Sequence, residues 1–451
     1  MANSIPQNQQ AQTQVKLIDD AEYKLNIYDY TIVPALSLAA AIWIFFHIWT
    51  AVNWDDLLYM SLSRHTVAHP WILNRYGHIY LQKLFFMLAG DSINGGRVFW
   101  CFLIFGTVVL TYFCCRLLFG KKGYICGIIA GLMVLMQHDF GKDAGCTLTD
   151  FTVMFLVTLG MFVYLTYLRH DGKWRRWLLM ALGLIFFWAV KSKEVGVCFG
   201  VVFLGLFWDG QNRFSFSRFL REIRWVIAGM AAGCLLLMLL DMVFIGDMFF
   251  SIRPSNIAKV LNTNVHPPSA RALSVRISMS WFSFLTMRAL FVVFIFYILA
   301  GWKAPSGEFT IREKVLWVFP FVLIFFLTFI RTGFIIVPRY ISSAVPVMSI
   351  WASSCFWFDM GSLKSDDKLF GRFPKAKVMW SLVVAALIIA AVIVSKQHAW
   401  ALYYKFDNPV KGAFDLKFNK LTLPEEILYV LVLMPLFVTV TLIAGFFGKK
   451  R

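Results

Sequence analysis

The sequence predicts an all-α, polytopic membrane protein built as a single bundle of about twelve transmembrane helices, and three observations support this. Of the 451 residues, 59% are hydrophobic and only 15% are charged, which is too apolar for a soluble chain of this length. Apolar runs of about 20 residues recur along the chain, and a helix of that length crosses a bilayer. Short polar loops separate these runs, so residues 1–451 are expected to form one membrane domain.

Each predicted span is an apolar run bounded by charged or turn-forming residues. The spans are expected near residues 31–51, 97–119, 123–138, 150–168, 177–191, 195–209, 225–246, 283–302, 315–331, 341–358, 378–396 and 426–447. The first thirty residues are polar and lack the basic leader and short apolar core of a signal peptide, so the first span is expected to anchor the chain. No large soluble domain is expected after the last span.

Basic residues crowd alternate loops, among them "GKKG", "RHDGKWRR" and "DGQNRFSFSRFLREIRW". The positive-inside rule places these loops, residues 1–30 and both termini in the cytoplasm. The net charge of +18 is therefore interpreted as a topology signal, and no nucleic-acid partner is expected. The eight cysteines fall mostly within apolar runs and show no CxxC or His-Cys spacing, so neither a disulfide framework nor a zinc site is predicted.

The loops on the opposite, extracytoplasmic side combine carboxylates, cations and aromatic residues. The segment 52–96 is the first of them, and interfacial loop helices are expected there. A pore would need polar residues deep within the spans, whereas these residues follow span ends. The pattern therefore favours a catalytic or binding surface at the membrane interface.

The stretch "WDDLLYMSLSR" places two adjacent carboxylates just beyond the first span. Asp55 and Tyr59 are four residues apart and share one face of a helix, while Asp56 lies about 100° around it. One carboxylate could accept a proton while its neighbour orients it. The alternative, that the pair only caps an interfacial helix, stays open.

The first loop, "WDDLLYMSLSRHTVAHPWILNRYGHIYLQKLFFMLAGDSINGGR", resembles the first extracytoplasmic loop of GT-C glycosyltransferases, in the branch of aminoarabinose transferases and protein O-mannosyltransferases. The acidic pair, a following tyrosine, a proline and a closing arginine fall on Asp55-Asp56, Tyr59, Pro70 and Arg97. The loop departs from the family by having Asn74-Arg75-Tyr76-Gly77 where a Lys-Pro-Pro stretch is common.

Three later segments extend the resemblance. "TLTDFTVMF" is similar to the family's second acidic position, which falls on Asp150, and "FFWAVKSKEVGV" resembles its lysine-containing turn, with Lys193 the best match. "FIIVPRYISSAVPVMSI" resembles the late entry into a span and places the motif on Arg339 and Tyr340. Lys193-Glu194 stands where Lys-Gly-Pro is common, and this departure bears on the acceptor more than on the chemistry.

The resemblance implies a GT-C-like bundle that transfers a sugar, with inversion, from a polyprenyl-phosphate donor to an acceptor hydroxyl on the extracytoplasmic face, with residues 52–96 as the catalytic loop. Asp55 is expected as the base, Asp56 is the second choice, and Asp150 is a supporting carboxylate. The expected donor-phosphate contacts are Lys193, Arg339, Lys191 and Arg331, and the expected substrate contacts are Tyr59, Arg75, Tyr76 and Tyr340.

Simpler interpretations of these residues stay open. Cations at span ends commonly reach toward lipid headgroups, and interfacial tyrosines are common membrane anchors. His69, His78 and His138 lack paired metal-ligand spacing, so ordinary hydrogen bonding is expected of them. No cofactor is assigned, although a divalent metal is compatible with the chemistry.

A lipid or glycan acceptor is expected in preference to a folded protein. The enzyme is expected in the inner or plasma membrane, or in the endoplasmic reticulum membrane of a eukaryote. Two other functions stay open. One is a transporter or flippase of a polyprenyl-linked glycan, although no internal repeat is visible. The other is a polymerase or ligase of lipid-linked glycans, for which Arg253, His266, Arg271 and Arg276 offer a basic loop.

Overall fold

The computed structural model describes residues 27–47, 54–65, 75–89, 93–135, 149–170, 172–257, 289–303, 309–327, 338–358, 368–369 and 373–374. The α-helices are α1 Ile27–His47, α2 Trp54–His65, α3 Tyr76–Ala89, α4 Ile93–Phe119, α5 Gly123–Leu135, α6 Thr149–Arg169, α7 Trp174–Ser192, α8 Phe216–Ile245, α9 Ala289–Lys303, α10 Ile311–Phe325 and α11 Val345–Phe358. The 3-10 helices are Gly120–Lys122, Glu194–Phe207 and Pro338–Ala344. Strands β1 Lys368–Leu369 and β2 Phe373–Pro374 form a short antiparallel pair.

The all-α prediction is confirmed, and the described helices follow the predicted spans closely. Ten of the expected spans coincide with helices, and the first loop contains the two helices α2 and α3. The spans expected at 378–396 and 426–447 lie outside the described residues. Within the described part of the chain, three helices are long and apolar enough to cross a membrane, Val98–Phe119, Thr149–Arg169 and Phe216–Ile245. An integral membrane protein is therefore supported, whereas the number twelve is not confirmed.

One predicted span takes an unexpected form. The apolar run expected at 195–209 is the 3-10 helix Glu194–Phe207, 14 residues long. A 3-10 helix rises about 2.0 Å per residue, so these residues extend for about 28 Å, close to the thickness of a hydrocarbon core. Its residues Cys198, Phe199 and Val202 are buried in the central hydrophobic core.

Helices α7 and α8 pack closely and run in parallel. A Cβ atom at Gly183 would overlap the carbonyl oxygen of Val226, and one at Gly229 would overlap the carbonyl oxygen of Met180. Only glycine lets two backbones approach in this way, and membrane helices use small residues for such contacts. The two helices therefore keep a fixed register, which aligns the groups at both of their ends.

Polar clusters lie at both ends of this helix pair. Arg175 bonds to Glu222 near the starts of α7 and α8, and Lys191 bonds to Ser251 just beyond the end of α8. Because an α-helix rises 1.5 Å per residue, residues 175 and 191 are about 24 Å apart along α7. The two clusters are thus separated by most of the thickness of a bilayer core.

Candidate functional site

Two ion pairs meet where α7 ends, and we call their four residues, Arg75, Asp150, Lys193 and Glu194, the ion-pair site. The Lys193 ammonium bonds to the Asp150 carboxylate, and these side chains are only 3% and 4% exposed. Arg75 Nη1 bonds to Glu194 Oε2 at 2.5 Å. Since Lys193 and Glu194 are consecutive residues, the two pairs are neighbours. The site therefore holds two cations and two carboxylates at one end of the bundle.

Local structure explains how Asp150 and Lys193 meet. Asp150 lies in the first turn of α6, where the helix dipole favours a carboxylate. Helix α7 ends at Ser192, and Lys193 is extended before the 3-10 helix begins at Glu194. This break in helical structure brings the Lys193 side chain to the start of α6.

Arg75 immediately precedes α3 and remains charged despite its burial. Burial of the guanidinium disfavours the charge, but the facing Glu194 carboxylate and the Tyr59 hydroxyl raise the pKa of Arg75 above its ordinary value. Arg75 thus connects the first loop, through Glu194, to the turn that follows α7.

Helix α2 is fixed against α3 by specific contacts. Ser63 Oγ donates to Gln82 Oε1 at 2.7 Å, and the rings of Tyr59 and His78 meet edge to face with centroids 5.4 Å apart. His78 Nδ1 lies 2.7 Å from Thr152 Oγ1, which ties α3 to the first turn of α6. The start of α2, which carries Asp55 and Asp56, is thereby held at the same end of the bundle as the ion-pair site.

The start of α3 packs directly on the end of α7. Trp188 Nε1 donates to the Gly77 carbonyl at 3.0 Å, and a Cβ atom at Gly77 would lie 2.8 Å from the Lys191 carbonyl carbon. Glycine at this position therefore lets the first loop approach the lysine-containing turn. A second hydrophobic cluster, including Leu62, Tyr80 and Trp188, surrounds this contact.

A polar network beside the ion-pair site was not foreseen from the sequence. Asp241, fully buried near the end of α8, accepts from the Tyr80 hydroxyl at 2.5 Å and from the Ser251 N–H and hydroxyl at 2.9 and 3.0 Å. Lys191 Nζ donates to the Ser251 carbonyl at 3.1 Å. A lone carboxylate near the end of an apolar run is the signal that could have identified Asp241.

The predicted residues separate into three groups. The structure brings together Tyr59, Arg75, Asp150 and Lys193, with Lys191 at the same end of α7. Tyr76 is almost fully buried and packs against Tyr80 and Phe250, with both pairs of ring centroids 5.5 Å apart.

The remaining predicted residues are only partly described. The backbones of Asp55 and Asp56 lie in α2, and those of Arg339 and Tyr340 lie in the 3-10 helix Pro338–Ala344. The side chains of these four residues are not among those that the structure describes. Arg331, His69 and His138 lie outside the described residues. Within the described ranges, no three potential metal-ligating side chains come together.

Comparison with protein families matches residues 69–244 to the family model described as dolichyl-phosphate-mannose-protein mannosyltransferase. This range contains all four residues of the ion-pair site and Asp241, and it begins after Asp55 and Asp56. Among curated proteins, the comparison finds no significant sequence match.

Two solved structures of one protein show the same fold, and a third structure is less similar. ArnT from Cupriavidus metallidurans bound to undecaprenyl phosphate has a TM-score of 0.54 at 16% identity, over 92% of this chain and 76% of that one. The apo form of that protein has a TM-score of 0.52 at 16% identity, over 80% and 64% of the two chains. The apo oligosaccharyltransferase of Archaeoglobus fulgidus has a TM-score of 0.49 at 13% identity, over 85% and 58%.

This chain thus spans less than two thirds of the length of the last two structures. At these identities the likeness establishes the fold. Together with the family match over residues 69–244, it confirms the predicted resemblance to GT-C glycosyltransferases. The roles of individual residues stay predictions.

Proposed function

We propose that the protein is a GT-C-type glycosyltransferase that moves a sugar from a polyprenyl-phosphate donor to an acceptor hydroxyl on the extracytoplasmic side. The observation that carries this proposal is the meeting of α2, the start of α6 and the end of α7 at one end of the bundle. The match of residues 69–244 to a family described by a polyprenyl-phosphate-sugar donor supports it, as does the fold of a protein solved with undecaprenyl phosphate.

In the proposed reaction, the acceptor oxygen attacks the anomeric carbon of the sugar while Asp55 accepts the hydroxyl proton. The bond from that carbon to the phosphate oxygen breaks on the opposite face, so the configuration inverts, and cations stabilise the leaving phosphate. Asp55 precedes Tyr59 by one helical turn, about 6 Å along the axis, and the Tyr59 hydroxyl contacts the Arg75 guanidinium. This arrangement supports placing the base beside the ion-pair site.

Contacts made by the two lysines favour Lys191 for the donor phosphate. The Lys193 ammonium is bonded to Asp150 and buried, whereas Lys191 is half-buried and its ammonium makes one hydrogen bond among the described residues, to Ser251. An ammonium group has three donors, so two remain for phosphate oxygens. We therefore propose Lys191 as the first phosphate contact, with Lys193, Arg339 and Arg331 as further candidates.

The acceptor is proposed to be a lipid or glycan hydroxyl, and Tyr59, Arg75, Tyr76 and Tyr340 remain the proposed sugar and acceptor contacts. None of the proposed steps requires a metal. Asp56 is proposed to orient the base, and Asp150 to hold the Lys193 ammonium in place.

The central test is Asp55→Asn in the purified full-length protein. Asparagine keeps the volume of the side chain but cannot accept the proton, so transfer should fall by about 10²- to 10⁴-fold. Release of polyprenyl phosphate from a panel of dolichyl- and undecaprenyl-phosphate-linked sugars is measured with a glycolipid acceptor mixture. Asp56→Asn is measured beside it and should reduce the rate less.

Asp247→Asn provides the matched control, because Asp247 follows α8 and pairs with exposed Arg253 at 2.8 Å. This control should transfer at the wild-type rate. Wild-type rates for both the Asp55 and Asp56 variants would remove the base from the mechanism and favour the transporter alternative.

A second test uses Lys191→Met, which keeps the apolar stem and removes the charge. Donor affinity should weaken by about 1.5–3 kcal/mol, the range for a hydrogen bond to a charged group. Binding of an undecaprenyl-phosphate-linked sugar to the purified protein measures this directly, and binding of undecaprenyl phosphate tests the same phosphate contact without the sugar. Lys83→Met is the control, because Lys83 is also half-buried and also donates to a backbone carbonyl, that of Ser63. Equal affinities of the two variants would assign Lys191 a structural role only.

A further inference from the structure

A cleft of about 330 Å³ opens between the first turns of α7 and α8, at the end of the bundle opposite the ion-pair site. Five arginines line it, and we call it the arginine cleft: Arg175, Arg176, Arg218, Arg221 and Arg224, together with Gly172, Leu179, Glu222 and Trp225. Such a concentration of one charge sign creates a strong local positive potential that attracts anions.

Ion pairing neutralises only a small part of this charge. Arg175 and Arg218 bond to the same carboxylate oxygen of Glu222, at 3.2 and 3.1 Å. Among the described residues, Glu222 is the one carboxylate that lines the cleft, so the five guanidinium groups and this carboxylate give a net charge of +4. The cleft therefore carries a large excess of positive charge.

The other three arginines form an exposed cationic rim. Arg176, Arg221 and Arg224 are solvent-exposed and form no ion pair with any described carboxylate. Two of them lie against the Trp225 ring, with the Arg176 and Arg224 guanidinium carbons 5.4 and 5.3 Å from its centroid. Stacking on the indole orients these guanidinium groups without using their N–H donors, which remain available to an anion.

The surroundings of the cleft indicate the depth of a membrane interface. Trp174 and Trp177 on α7 are 58% and 62% exposed, and Phe214 and Phe216 beside the start of α8 are 63% and 55% exposed. Aromatic side chains concentrate where headgroups meet the hydrocarbon core. An anion in this cleft would thus lie at the depth of the lipid headgroups.

We propose that the arginine cleft binds the phosphate headgroup of an anionic diacyl phospholipid, at a site separate from the proposed catalytic end. Arginine forks match phosphate oxygens in a bidentate manner. The cleft lies beside the N-terminal turns of α7 and α8, where the positive ends of the two helix dipoles add to the charge of the arginines. The apolar side chains of Leu179 and Trp225 line the cleft beside the arginines and offer contact to an acyl chain, so the lipid binds in preference to a free phosphate ion.

The experiment measures phosphatidylglycerol binding to the purified full-length protein in detergent micelles by native mass spectrometry. The variant Arg176→Gln/Arg221→Gln/Arg224→Gln removes the exposed rim and keeps residues of good helix propensity. Each cation near an anionic lipid contributes several-fold to affinity, so phosphatidylglycerol affinity should fall roughly hundredfold.

The matched control, Lys122→Gln/Lys173→Gln/Arg213→Gln, removes the same charge from residues outside the lining of the cleft. It should bind phosphatidylglycerol like the wild type, and phosphatidylcholine should bind weakly to all three proteins. Equal losses in both triple variants would overturn the cleft as a site, because the effect would then follow net charge alone. Competition by inorganic phosphate or undecaprenyl phosphate as strong as that by phosphatidylglycerol would overturn the assignment to a diacyl phospholipid.

Discussion

The two ends of helix α7 carry similar residues in opposite arrangements. At its C-terminal end, Lys193 and Arg75 each bond to a separate carboxylate, and the Lys193–Asp150 pair is almost completely buried. At its N-terminal end, five arginines line a cleft in which the described part of the chain places a single carboxylate. The ion-pair site balances its charges within the protein, whereas the arginine cleft leaves most of its charge for the surroundings to balance.

Desolvation accounts for this difference. A buried ion that loses its partner is destabilising by several kcal/mol, so a buried cation needs its own carboxylate. An exposed guanidinium keeps its contact with water or headgroups and needs none. Burial thus indicates where the fold fixes the charges and where charge remains available for binding. The following predictions test this contrast, from the largest expected effect to the smallest.

The largest effect is expected from Lys193→Met at the buried end. The change leaves the Asp150 carboxylate buried without its cation, which should lower the free energy of unfolding by about 3–5 kcal/mol. Unfolding by SDS titration of the purified protein in micelles measures it. The double variant with Asp150→Asn should be more stable than the single variant, because it removes the buried carboxylate that the single variant leaves without its cation.

Arg253→Met is the control at the same end of the bundle, because Arg253 and Asp247 form an exposed pair at 2.8 Å. Its effect should stay within about 1 kcal/mol. If the Lys193 variant were as stable as this control, burial would not explain why each cation of the ion-pair site has its own carboxylate.

An intermediate effect is expected from Gly229→Ala, which tests the helix contact that connects the two ends. The added methyl group would overlap the backbone oxygen of Met180, which can move only if α7 and α8 separate. Overpacking of this kind lowers the free energy of unfolding by about 1–3 kcal/mol. The same SDS titration measures the loss.

Gly210→Ala is its control, since a Cβ atom there meets nothing within 4 Å. Gly233→Ala should fall between the two, because its Cβ atom would lie 2.8 Å from a carbon of the Phe187 ring, which can rotate. Equal stability of all three variants would show that the close approach of α7 and α8 is not required for folding.

The smallest effect on stability is expected from two cysteine substitutions at exposed positions. They serve a topology test, which establishes the side of the membrane on which each end lies. Lys173 at the arginine end and Arg253 at the opposite end are exposed, so cysteine at either position should change stability by less than about 0.5 kcal/mol. In a background without native cysteines, Arg253→Cys in intact cells should react with an impermeant thiol reagent, and Lys173→Cys should not. The reverse result would place the ion-pair site in the cytoplasm and contradict the proposed side of catalysis.

Much of the fold was predictable because helix formation depends on residues close in sequence. The apolar run ending at Phe119 and the run from Thr149 to Arg169 are long enough to cross a membrane, and both are helices close to their predicted limits. The resemblance of the first loop and of the segments around Asp150 and Lys193 to a known family also depended on sequence alone. For Glu194–Phe207 the sequence predicted a span, but the choice of a 3-10 helix is not encoded in its hydropathy.

The pairing of the charged residues was decided only by the tertiary structure. Arg75 meets Glu194 across 119 residues of sequence, and Tyr80 meets Asp241 across 161. Such contacts depend on how helices cross, and the crossing of α7 and α8 is set by the close approach at Gly229, which no hydrophobic period reveals. The sequence thus determined which residues are charged and which segments are helical. Packing decided which charges are buried with a partner and which remain exposed, because desolvation depends on neighbours that are distant in the chain.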